Sequence, residues 1–99
     1  MKLKKPEISF RAFDGAGPIS VYWYDAPLGD AVEADGGNGV GWFAPNGELL
    51  AVEFDNVSEN GDSQTLVFRK RTRVSVSTRA GKARVQLELP PGRSRRTAA

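Results

Sequence analysis

Cysteine and histidine are both absent from this chain. Without cysteine there is no disulfide framework and no thiolate nucleophile, and nothing marks a redox compartment. Without histidine, the usual general base near neutral pH and the commonest metal ligand are missing. No apolar run approaches the roughly 18 residues of a bilayer-spanning helix. No apolar signal-type stretch follows the first lysines. The expectation is a soluble cytoplasmic protein with no membrane partner and no cofactor.

A further absence is local. Residues 12–68 contain no lysine or arginine but ten acidic residues. Residues 69–99 invert this, with ten basic residues against Glu88 alone, and residues 1–11 add four basic residues and one acidic one. The net charge of +2 therefore hides a strongly divided chain. Such asymmetry points to a charged partner, or to acidic and basic segments lying against each other within one fold or between copies.

Helical periodicity is also lacking. Apolar residues alternate in short runs separated by turn signals, which predicts an all-β fold. About seven antiparallel strands are expected, in a small sandwich or open barrel built from three hairpins. The chain of 99 residues fits one domain, spanning residues 7–89, with a basic arm at 1–6 and a disordered basic tail at 90–99.

The central hairpin, Gly39 to Asp55, organises this reading. Pro45-Asn46-Gly47 suits a type I turn with Pro45 second, Asn46 third and Gly47 left-handed in a bulge. That turn pairs Ala44 with Glu48. Continued along both strands, it sets Trp42 opposite Leu50 and Val40 opposite Val52, and gathers Val40, Trp42, Leu50, Val52 and Phe54 on one face. In the first hairpin, Asp14 to Pro18 reads as the turn, and pairing Phe10 with Val21 aligns Ile8 with Trp23 and Ala12 with Ile19. A short edge strand is expected over Ala31 to Ala34. The third hairpin turns about Ala80-Gly81, pairing Val76 with Val85 and Val74 with Leu87 on one face. Its other face pairs Ser77 with Arg84, Ser75 with Gln86 and Arg73 with Glu88.

Phe13-Asp14, Val21-Tyr22-Trp23 and the run Val40 to Phe54 carry a family resemblance. They resemble a family of small bacterial proteins known only as a domain of unknown function, whose hairpin motif reads D-x-D-G-x-L-V-G-I-E-I. Gly47, Leu49 and Glu53 fall at the matching glycine, leucine and glutamate, whereas Ala44 and Asn46 replace the aspartates and Ala51 replaces a glycine. The resemblance implies a β-sheet and defines no activity. Some relatives look like members of two-gene toxin–antitoxin-type pairs, which implies protein binding.

The candidate sites follow from charge and exposure. Arg69, Lys70, Arg71, Arg73 and Arg84, with Arg79, Lys82 and the arginines of the tail, form a basic set suited to nucleic acid or an acidic partner. Aromatic platforms nearby would hold single strands, but the acidic block would repel a phosphate backbone unless confined to another face. Tyr22, Tyr24 and Phe43 are expected to point opposite to the main core set, either covered by another sheet or forming a partner surface. Glu53 and Asp55, near Glu48 and Asp35, are the carboxylates available for a metal or hydrolase site, with a solvated strand face as the plainer explanation. Asp55 to Asp62 offers oxygen ligands without EF-hand spacing, and reads better as a polar loop. No nucleophile–base constellation emerges. The expected role is non-enzymatic: protein interaction or self-association first, nucleic-acid binding second, a carboxylate metal site or hydrolase a remote third.

Overall fold

The computed structural model describes residues 6–24, 29–68 and 72–88. The basic arm, the Arg69–Lys70–Arg71 cluster and the C-terminal tail lie outside these residues, apart from Pro6. The described chain is all β. Its strands are β1 (Glu7–Phe10), β2 (Ala16–Tyr22), β3 (Asp30–Glu33), β4 (Gly39–Phe43), β5 (Leu49–Ser58), β6 (Ser63–Phe68), β7 (Thr72–Arg79) and β8 (Lys82–Glu88). Every pairing is antiparallel. A five-stranded sheet in the order β1-β2-β5-β4-β3 packs against a three-stranded sheet, β6-β7-β8, as a small sandwich. The eighth strand is the short edge strand β3.

Alternation decides which side chains fill the sandwich. Ile19, Val21, Val52 and Phe54 of the large sheet meet Leu66, Phe68, Val74 and Val76 of the small one, and all eight are buried. The third hairpin has the register its alternation predicts, from Arg73 opposite Glu88 to Ser77 opposite Arg84. Ala80 (φ +52°) and Gly81 (φ +78°) are both left-handed, as a two-residue type I′ turn demands.

The first hairpin differs from expectation. Its turn is Asp14-Gly15, both left-handed, closed by reciprocal hydrogen bonds between Phe13 and Ala16. Phe10 therefore pairs with Ile19 and Ile8 with Val21, two residues away from the predicted alignment. The physical reason is that Ala16 to Pro18 are not turn but strand. Gly17 lies so close to the Arg11 carbonyl that a Cβ there would collide with it. Pro18, which has no N–H to donate, sits where the β2–β5 register shifts.

The central hairpin keeps its expected turn but changes register along the strands. At the turn the expected geometry holds: Gly47 N–H donates to the Ala44 carbonyl (2.8 Å), Ala44 N–H donates to the Glu48 carbonyl (2.8 Å), and Gly47 has φ +91°. One residue further, a β-bulge at Leu50 shifts the pairing to Trp42–Ala51, Gly41–Val52, Val40–Glu53 and Gly39–Phe54. The predicted face of Val40 and Trp42 with Val52 and Phe54 is thereby corrected. Gly39 and Gly41 face inward, and Val40 and Trp42 face out.

The cause lies in the opposite sheet. A Cβ on Gly41 would stand 2.8 Å from Cζ of Phe68, and one on Gly39 would collide with the Glu53 carbonyl of β5 and stand 2.7 Å from Cδ2 of Leu66. The small sheet supplies the bulk at these positions, and only glycine leaves room for it.

Two stability measurements follow. Gly41→Ala overpacks the sheet interface and should lower unfolding stability by about 1–3 kcal/mol in chemical denaturation. In a Phe68→Leu background the same substitution should cost clearly less, and equal costs would disprove the contact. Ala80→Asn places a residue tolerant of left-handed backbone in the third hairpin's turn and should add about 1 kcal/mol. A midpoint that falls instead would contradict the turn assignment.

Candidate binding faces

Two outward faces result from this packing, and their charge differs. On the small sheet, the ladder rows Val67–Arg73–Glu88, Thr65–Ser75–Gln86 and Ser63–Ser77–Arg84 face solvent, with Arg79–Lys82 beyond them. Arg73, Arg79, Lys82 and Arg84 are exposed. Glu88 is the one acidic residue among these rows, and no aromatic residue stands in them. Two depressions indent this side. The larger, about 530 Å³, is lined by Ser77, Thr78, Arg79, Lys82, Ala83 and Arg84. The smaller, about 170 Å³, is lined by Ser63, Ser75, Val76, Ser77, Arg84 and Gln86. Ser77 and Arg84 border both.

On the large sheet, the outward rows are Glu7–Tyr22–Ala51–Trp42–Ala31 and Ser9–Ser20–Glu53–Val40–Glu33. Asp55 extends the same face along β5. Ala51 is fully buried between the half-buried Tyr22 and Trp42. The face is thus an aromatic strip bordered by carboxylates. Of the sequence-predicted partner surface, Tyr22 alone stands here. Tyr24 is 4 % exposed, and its hydroxyl donates to Glu48 Oε2 at 2.8 Å. Phe43 lies edge-to-face on Phe68, ring centroids 5.4 Å apart, because the bulge turns it toward the core. Trp42, which the sequence reading placed inside, takes their place. Phe13, 87 % exposed, stands separately at the tip of the first hairpin.

Of the carboxylates considered for a metal or hydrolase site, Glu53 and Glu48 are engaged individually. Ser20 Oγ donates to Glu53 Oε2 (3.4 Å), and Glu48 accepts from Tyr24. Among the described residues, no group of three or more acidic side chains is arranged to hold a metal ion. The Asp55–Asp62 segment has a structural task instead. Asp62 accepts hydrogen bonds from the Ser58 N–H (2.9 Å), the Ser63 N–H (2.7 Å) and Gln64 Nε2 (3.1 Å). Around it the chain clasps both hairpin tips. Glu59 N–H donates to the Gly15 carbonyl, Gly81 N–H to the Glu59 carbonyl, and Ala80 N–H to Asn60 Oδ1. The Thr78 hydroxyl, buried beneath, donates to the Ser58 carbonyl and accepts from the Asp62 N–H.

The amide donors favour the charged carboxylate, first the Ser58 N–H, then Gln64 and the Ser63 N–H. They hold Asp62 below its ordinary value of 3.8. A lowered folded-state pKa contributes stability above the ordinary value, and that contribution is lost as pH falls through the lowered one. Asp62→Asn keeps an acceptor but does not titrate. Its unfolding stability should therefore fall less than that of the unaltered protein between pH 5 and pH 2. Parallel stability curves would remove Asp62 from the acid response.

No helix among the described residues is long and apolar enough to cross a membrane. The chain matches no family model, no curated protein and no solved structure.

Proposed function

We propose that this all-β domain is a non-enzymatic interaction module of the cytoplasm, which receives an acidic protein partner on the outer face of its small sheet. The observation that supports this reading most strongly is the separation of charge. Arg73, Arg79, Lys82 and Arg84 share one outward face, while Glu7, Glu33, Glu53 and Asp55 share the face of the opposite sheet. Glu33, Glu53 and Asp55 of the acidic block lie on the opposite sheet, away from the basic surface, whereas Asp35, Glu59 and Asp62 bond to the small sheet at Val67, Gly81 and Thr78. Ser77, paired with Arg84 across the strands, adds a hydroxyl donor beside a planar guanidinium, a combination suited to carboxylates. Non-enzymatic action is supported by the carboxylates Glu48, Glu53 and Asp62, each bound to its own hydroxyl or amide donor rather than gathered around one site.

Nucleic acid shares the requirement for positive charge, and hydroxyls between the arginines would suit phosphates as well. Single-strand binding draws on aromatic stacking, however, and the rows of the basic face contain no aromatic residue. Tyr22 lies on the outer face of the other sheet, and Tyr24 is buried.

Titration with an oligo-glutamate peptide, followed by amide chemical shifts, tests the reading. Shifts should concentrate at Arg73, Ser77, Lys82 and Arg84 and weaken with salt. The double variant Arg73→Ala, Arg84→Ala should bind roughly tenfold more weakly. Absence of binding, or shifts on the large sheet, would overturn the proposal. Tighter binding of an RNA oligomer of equal charge would replace the acidic protein by nucleic acid.

A further inference from the structure

The acidic surface that the basic face requires is present on the same molecule. The two outer faces lie on opposite sides of the sandwich, so one chain cannot satisfy both. We propose that copies of this chain associate head to tail, with the acidic aromatic face of one copy seated on the basic face of the next. This rests on the basic face being an acceptor of acidic protein surface, and it names a second copy as that partner.

Complementarity extends beyond net charge. The acidic face carries a strip of Tyr22, Ala51 and Trp42, bordered by Glu33 and Glu53, with Asp55 beyond them on β5. Arginine suits such a surface. Its apolar stem covers aromatic rings, its guanidinium is attracted to the ring face, and its planar fork reaches neighbouring carboxylates. Arg73 and Arg84 stand on adjacent strands of the small sheet, separated along them by the Ser75–Gln86 row. The aromatic strip likewise crosses adjacent strands of the large sheet, from β2 through β5 to β4.

Symmetry then constrains the product. The contact joins two different surfaces, so it is heterologous, and each added copy exposes a fresh pair of faces. A stack or a ring is expected rather than a closed two-fold dimer. Because the contacts are charged and lie at the surface, association depends on ionic strength.

Sedimentation velocity on the full chain supplies the test. The sedimentation coefficient should rise with protein concentration at about 0.01 M salt and return to the monomer value at about 1 M. Arg73→Glu with Arg84→Glu reverses two charges of the basic face, and Glu33→Lys with Asp55→Lys reverses two charges of the acidic face. Each variant alone should remain monomeric, and an equimolar mixture should assemble. All four positions are exposed, and denaturation midpoints check that both variants fold. As a readout that leaves charge untouched, fluorescence should change on assembly, and Trp42→Phe should remove most of that change.

A wild-type chain that stays monomeric at low salt overturns the proposal. So does association of either variant alone, or a mixture that stays monomeric. Assembly that appears only with added RNA overturns it in favour of a nucleic-acid bridge. If oligo-glutamate binds the basic face while the chain stays monomeric, the stack fails and the acidic-partner reading stands. If neither occurs, both fail.

Discussion

The close approach of the two sheets at Gly39 and Gly41 governs this structure. Leu66 and Phe68 reach so near the backbone of β4 that any Cβ at these positions would press against them. With the inward positions of β4 taken by glycine, its larger side chains Val40 and Trp42 are sent outward. Core volume on that side comes from the small sheet instead. Interiors pack to near-crystalline density, so bulk missing from one sheet is supplied by the other. A single steric constraint thus decides both what fills the sandwich and what its acidic face displays.

Charge sorting follows from the chain's path. Residues 7–58 build the large sheet before the chain passes to residues 63–88, which build the small one, and no strand returns. An acidic block and a basic block in the sequence therefore become an acidic sheet and a basic sheet. Alternation then places the charges of each strand outward. The crossing point needs close tethering, because two sheets joined by one short connection would otherwise slide. The hydrogen bonds around Asp62, Thr78 and Glu59 fix both hairpin tips to that connection. A segment rich in oxygen ligands is used to satisfy backbone amides.

Legibility of the fold varied with what set each register. In the β7–β8 hairpin, Val74, Val76, Ala83, Val85 and Leu87 alternate with polar residues, and a one-residue slip would bury arginine. Local pattern was sufficient there. In the first hairpin the pattern tolerated a two-residue slip, because Ile8 and Phe10 stay on the inward face in either alignment. Asp14-Gly15 was the discriminating signal, since Asp-Gly is a strong two-residue turn. In the central hairpin the turn chemistry was legible and the strand register was not. Gathering large apolar residues on one face is sound for a sheet that must provide its own core volume. Here that volume comes from residues 66 and 68, and sequence separation hides it. The glycines at alternating positions 39 and 41 carried the warning, as strand glycines mark a close approach.

The candidate faces were legible in proportion. The basic face could be read as far as β7–β8 went, because its ladder was fixed by pattern. The acidic face could not, because its aromatic strip depends on the bulge at Leu50. Before the bulge, Phe43 opposes Leu49 and rests on Phe68; after it, Trp42 opposes Ala51 on the outer side. Continuing the turn's own register would bring Trp42 opposite Leu50 and Val40 opposite Val52, placing large side chains where Leu66 and Phe68 already sit. One inserted residue therefore relieves the core and creates the outward strip in the same step. Core packing and surface character are coupled through the backbone of β5, so neither can be altered at Leu50 without changing the other.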